Sequence, residues 1–145
     1  MGTIIRDLVM EDMAQLAALH EQFWGDKSDV ERMKSEFPVI MQENRHIILV
    51  AERDGIVIGS VMGIVCRELY GDCRPFMVVE DMVVDRQSRR GGIGFQLLTE
   101  LEKRARERNC AQMLLVTEAD RIAACGLYEK YGFQKNNKGY KKKLI

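Results

Sequence analysis

The chain has 145 residues and a mass of 16.7 kDa, and its 22 Lys+Arg cancel 22 Asp+Glu. That length predicts one domain spanning residues 1–145, and zero net charge argues against a strongly basic nucleic-acid binder. A 46% hydrophobic, 30% charged composition excludes a disordered chain. No apolar run reaches the ~20 residues of a membrane-spanning helix, and Arg6, Asp7, Glu11 and Asp12 interrupt the N-terminus before a signal-peptide core could form, so a soluble cytoplasmic protein is expected.

Residues Thr3–Arg6 read as a short strand, followed by a helix from about Glu11 to His20 in which Met13, Leu16, Ala17 and Leu19 recur near helical spacing. A second helix is expected around Asp29–Glu43, with Pro38 near a break. Between them, Phe23-Trp24-Gly25 is open to two readings, ordinary packing or the wall of a substrate pocket. Ile47–Ala51 and Ile56–Cys66 are apolar runs joined at Asp54-Gly55, which predicts a hairpin. Gly59 and Gly63 within the second strand point to a bulge or to close approach by another group. Phe76–Val84 is a further strand, with Glu80 and Asp81 embedded in it; on a regular pleat the two carboxylates face opposite sides.

The period then changes. Ile93, Leu97, Leu98, Leu101 and Ala105 share one helical face, with Glu100, Lys103, Arg104 and Glu107 opposite. Met113–Thr117 reads as a strand and Arg121–Tyr131 as a helix stopped by Gly132. Gln134–Leu144 reads as a terminal hairpin turned at Asn136–Gly139. The order β-α-α-β-β-β-α-β-α-β defines an α/β (α+β) chain. Cys66, Cys73, Cys110 and Cys125 form no CxxC, and neither His20 nor His46 stands at ligand spacing from a cysteine. No metal site is indicated, and reduced, mostly buried thiols are expected.

The chemistry concentrates where Arg86-Gln87-Ser88-Arg89-Arg90-Gly91-Gly92-Ile93-Gly94 leads from a strand into a helix. The first turn of a helix leaves backbone N–H groups unpaired, and its dipole favours an anion there. Glycines at 91, 92 and 94 let a ligand approach those amides, and Arg86, Arg89 and Arg90 add positive charge at the same end. A phosphate or pyrophosphate site is the natural inference. The run is neither GxxxxGK[ST] nor GxGxxG, so it is neither a P-loop nor a dinucleotide fingerprint.

Arg89-Arg90-Gly91-Gly92-Ile93-Gly94 resembles the [RQ]xxGx[GA] signature of the GNAT superfamily of acetyl-CoA-dependent N-acetyltransferases. Glu80-Asp81-Met82-Val83-Val84 is similar to that family's fourth strand, and Ala124-Cys125-Gly126-Leu127-Tyr128-Glu129-Lys130-Tyr131-Gly132-Phe133 to its AxxLYEKxGF segment. The resemblance implies a mixed, mostly antiparallel sheet flanked by helices, with acetyl-CoA as cosubstrate. It implies that backbone groups of Met82, Val83 and Val84 bond the pantetheine arm, and that amides from Arg89, Arg90, Gly91, Gly92, Ile93, Gly94 and Phe95 cradle the pyrophosphate. Tyr128 is implied as general acid for the departing thiolate, with the amine attacking directly.

An ammonium of pKa ~10 must lose a proton before attack, and Glu80 or Asp81, directly or through water, is the candidate acceptor. The competing reading is that each carboxylate pairs with an arginine such as Arg74 or Arg86. Arg121 stands where the family often carries Asn, so it contacts a CoA phosphate or leaves the usual amide contact unmade. Glu80-Asp81-Met82 and the Gly139–Leu144 end look like the glucosamine-6-phosphate N-acetyltransferase branch, and Lys141–Lys143 reads as a solvated edge strand. The expected activity is acetylation of a small-molecule primary amine. A protein N-terminal or lysine acetyltransferase and a catalytically silent acyl-CoA-binding sensor are the alternatives. Neither nucleic acid nor membrane is an expected partner, and the resemblance leaves a homodimer open.

Overall fold

A computed structural model describes residues 2–145 and places a five-stranded sheet between two helical layers. Strands β1 (Ile4–Asp7), β2 (His46–Arg53), β3 (Ile56–Cys66), β4 (Phe76–Val84) and β5 (Met113–Leu114) lie side by side in chain order. Only the β4–β5 pair is parallel; the others are antiparallel. Helices α1 (Met13–Trp24), α2 (Val30–Gln42), α3 (Ile93–Glu107) and α4 (Ile122–Tyr131) complete the mixed α/β fold that the sequence predicts.

The sheet is buried on both faces, and β2 shows how. Ile47, Leu49 and Ala51 point to one side, where they meet Ile93, Leu97, Leu98 and Leu101 of α3. Ile48 and Val50 point to the other, where Leu8 and Met13, Leu16 and Leu19 of α1 cover them. Period-two alternation of apolar residues thus feeds two cores from one strand. The glycines of β3 are explained by α3 lying directly upon them. A Cβ on Gly59 would stand 3.1 Å from Ile93 Cγ2, and one on Gly63 would stand 2.7 Å from Met77 Sδ and 2.8 Å from Leu101 Cδ1.

Three expectations fail. Pro38 sits inside α2 and does not break it. The helix forgoes only the bond to the carbonyl of Lys34, which is on its exposed side. The terminal hairpin does not form: residues 134–145 are exposed and outside the sheet, and β5 shrinks to two residues. A strand needs a ladder and an apolar face, and this polar tail offers neither, since Tyr140, Leu144 and Ile145 all lie in solvent. Lys141 therefore lies on no edge strand and pairs with Glu118. The four cysteines are free but not buried, because Cys73 stands in an exposed turn and Cys66, Cys110 and Cys125 are half-buried.

Candidate active site

The site begins with an irregularity in β4. Met62 of β3 faces Glu80, and Ser60 faces Val83, so Asp81 and Met82 together oppose the single residue Val61. Asp81 takes up the extra residue with φ of 54°, in the left-handed region that Asp tolerates better than most side chains. The bulge reverses the alternation of the strand. Met77 and Val79 before it, and Met82 and Val84 after it, pack toward α3, while Val83 joins the α1 core. The irregularity falls at the two carboxylates, so the regular pleat on which they would face opposite sides is interrupted there. Burial, and next the charge of Asp81, raises the Glu80 carboxyl above the usual carboxylate range, against the pull of Lys141.

Beyond this bulge the sheet opens. β5 pairs with β4 only at Met77–Met113 and Val78–Leu114, so past Val78 that edge of β4 has no strand partner. Tyr128 of α4 approaches here, packed against the α3 core and edge-on to Phe133 at 5.8 Å between ring centres. Burial first, then Cys125 and Glu80, pushes its phenol up to about 12, with Arg121 pulling the other way. At neutral pH the phenol holds its proton, the form required of an acid.

The third element is the start of α3. Its N-cap is Gly92, at φ 77°, with no side chain to accept from the first turn. The first helical bond runs from Gln96 N–H to Gly92 O at 3.0 Å. Ile93, Gly94 and Phe95 are left with amides that meet no acceptor among the described residues, at the positive end of the helix dipole. The neighbouring arginines are partly tied back: Arg86 donates to Gln22 O at 3.2 Å, and Arg89 Nε donates to Val84 O at 3.3 Å. Arg90, at φ 72°, makes no such bond among the described residues. Gly92 borders open space, since a Cβ there would meet nothing within 4 Å, whereas one on Gly91 would lie 3.5 Å from Ser88 O. Gly94 has another reason to be glycine: a Cβ there would lie 2.7 Å from Leu127 Cδ2, so it seats α4 against α3 rather than clearing a path for a ligand.

The predicted residues thus divide by what they can offer. Met82 and Val84 turn their side chains into the α3 core, and Val83 and Ile93 are each only 1% exposed, which leaves their backbones for a ligand. Phe95 is 42% exposed and lies edge-on to Tyr131, 4.9 Å between ring centres. Arg121 lies with its guanidinium 4.1 Å above the Phe23 ring. Phe23 therefore packs, as part of the α1 core, and also carries Arg121; Trp24, edge-on to it at 4.9 Å, is 44% exposed. A cavity of about 990 Å³ lies apart from the arginine loop, between α3, β5, α4 and the tail. It occupies the outer side of β5, which the absent hairpin leaves uncovered, and Tyr128 borders it.

His20 continues the buried stripe of Met13, Leu16 and Ala17 on α1, edge-on to Trp24 at 5.3 Å. Burial holds its imidazole below the usual range, and the charge of Asp81 opposes that shift.

Residues 13–133 match the model of the acetyltransferase (GNAT) family. An L-methionine sulfoximine/L-methionine sulfone acetyltransferase of Pseudomonas aeruginosa is 28% identical over 147 residues, covering 92% of this chain and 81% of that protein. A glucosamine 6-phosphate N-acetyltransferase of Candida albicans is 28% identical over 89 residues, covering 61% of this chain and 58% of that protein. The solved structure of a putative acetyltransferase from Agrobacterium tumefaciens shares the fold, with a TM-score of 0.90 at 20% identity over 97% of this chain and 99% of that one. The chain belongs to the GNAT family of acetyltransferases.

Proposed function

We propose that the protein transfers an acetyl group from acetyl-CoA to the primary amine of a small molecule, by direct attack in a ternary complex. The observation that carries this reading is a helix N-terminus with three unbonded amides together with a β4 edge left without a strand partner beyond Val78. The residues present fit the cosubstrate. The amides of Ile93, Gly94 and Phe95, with Arg89, Arg90, Gly91 and Gly92, would hold its pyrophosphate, and backbone groups of Met82, Val83 and Val84 on the edge of β4 that β5 leaves free its pantetheine arm. Val84 O already accepts from Arg89, so a contact at that oxygen requires the guanidinium to turn away. Bound there, acetyl-CoA supplies an acyl group already activated as a thioester.

The protein's own work is proton handling and positioning. Glu80 or Asp81, directly or through water, takes a proton from the acceptor's ammonium. Tyr128, neutral at working pH, gives its proton to the departing thiolate. The stacking of Arg121 on Phe23, beside Trp24, supports reading these residues as part of the acceptor's wall. The small-molecule reading is supported by relatives named for L-methionine sulfoximine and glucosamine 6-phosphate. The test is CoA release across a panel of amino acids, amino sugars and lysine peptides. Release that depends on a small amine is expected. Release with peptides alone would identify a protein acetyltransferase. Stabilisation by acetyl-CoA of about 2.7 kcal/mol at roughly 100 times its Kd, without turnover, would identify a binding module.

A further inference from the structure

We infer that Arg53, at the end of β2, is a phosphate-binding residue of the cosubstrate site: its guanidinium stands beside Gly91 and takes a phosphate of acetyl-CoA together with the amides that begin α3. The inference rests on the acetyl-transfer reading and adds to it a cation supplied by the sheet, not by the arginine loop.

Placement comes first. Ile47, Leu49 and Ala51 of β2 face α3, and a period of two carries Arg53 to that same face, just past the last core residue. The strand is regular there. Its register with β1 runs unbroken to Ile4–Glu52, and the irregularity in its register with β3 places the extra residue, Ile58, on β3. The helix begins over this end of the sheet, because Ile93 lies against Gly59, the β3 partner of Ala51. The loop that leads into it is fastened at its start, where the Asp85 N–H donates to Ile58 O at 2.8 Å. It then passes the tip of β2: a Cβ on Gly91 would stand 3.9 Å from Arg53 Nη2. Arg53 and Gly91 are distant in the chain and meet only because α3 packs on β2, so the sequence carried no signal of it.

The side chain is held without being neutralised. Thr3 lies opposite Arg53, one residue beyond the Ile4–Glu52 pair. Its Oγ1 accepts from Arg53 Nε at 3.2 Å and from Nη2 at 2.9 Å. Among the described residues Nη1 meets no acceptor and no carboxylate pairs with the guanidinium. Other arginines of the sheet and of α3 are spent differently. Arg6 pairs with Asp12 and Glu52, and Arg104 with Asp7 and Glu100. In the loop, Arg86 and Arg89 donate to the carbonyls of Gln22 and Val84. Arg53 is therefore a half-buried cation with a fixed direction and a free charge, beside a helix start that favours an anion. A guanidinium offers phosphate a planar fork of donors, and one already oriented by a strand loses little freedom on binding. Acetyl-CoA presents that chemistry twice, in its diphosphate and in the 3′-phosphate of its nucleotide. Neither is the reacting thioester, so Arg53 acts on affinity and not on the chemical step.

The test is calorimetric titration of wild type and Arg53→Gln with acetyl-CoA and with 3′-dephospho-acetyl-CoA. Arg53→Gln should raise the Kd of acetyl-CoA by about 10-fold or more, as for loss of a hydrogen bond to a charged group. An equal loss with both ligands assigns Arg53 to the diphosphate, and a loss confined to acetyl-CoA assigns it to the 3′-phosphate. At saturating acetyl-CoA, kcat and the KM of the amine should stay within about twofold of wild type. A Kd within about twofold of wild type for both ligands overturns the inference, as does an effect on kcat and amine KM as large as that on Kd, which marks a structural role. Should Arg53→Gln not fold, Arg53→Lys decides. It keeps the charge without the fork and should still weaken acetyl-CoA several-fold; an unchanged Kd overturns the assignment. Wild-type protein that binds neither ligand refutes the acetyl-transfer reading itself, an outcome no Arg53 variant can produce.

Discussion

The two sides of β5 are held together in different ways. From β1 to α3, layers interlock around Leu49, Val50, Val61, Met77, Leu97, Leu98 and Leu101, all fully buried. From β5 onward, α4 buries no residue completely and residues 134–145 are exposed throughout. The first region presents backbone in fixed places, a bulged strand edge and an uncapped helix start, which is what a long cosubstrate needs. The second carries Tyr128 on a helix attached by a few points: Leu127 against Gly94, the Tyr131 hydroxyl donating to Glu102 at 3.0 Å, and Arg121 over Phe23. Stability and acid catalysis should therefore respond to different substitutions.

The largest stability effect belongs to the interlocked side. Leu101→Ala should cost about 2–5 kcal/mol in urea unfolding, since the neighbours of a fully buried leucine cannot collapse into its place. Gly63→Ala should cost roughly 1–3 kcal/mol, because the new methyl meets both Met77 and Leu101. The double variant should cost less than the sum, as the smaller side chain at 101 makes room for the methyl. Strict additivity would show that α3 does not rest on Gly63. At the other extreme, Tyr140→Ala should stay within about 0.5 kcal/mol of wild type, as for any exposed position with few neighbours. A loss like that of Leu101→Ala would mean the tail is part of the core, and the contrast would dissolve.

The interlocked side is also the more legible in the sequence. The helical face of Ile93, Leu97, Leu98 and Leu101 is periodic, the β2–β3 hairpin has its Asp54-Gly55 turn, and both are where the pattern puts them. The bulge at Asp81 was not readable, because it belongs to the pairing of two strands and not to either strand alone. Gly94 was read as a ligand-facing glycine because Leu127, its reason for being small, is distant in the chain. The terminal hairpin had turn residues but no apolar alternation to seat it, and turn chemistry without a buried face does not make a sheet.

The central claim is that Tyr128 is the acid at the opening between β4 and β5. Measuring kcat and acetyl-CoA affinity side by side for wild type and Tyr128→Phe tests it most directly. The account predicts a kcat lowered by about 10²–10⁴-fold, with affinity changed by no more than about twofold, because the phenol serves the leaving sulfur and the cosubstrate is held by backbone. An unchanged kcat would contradict it.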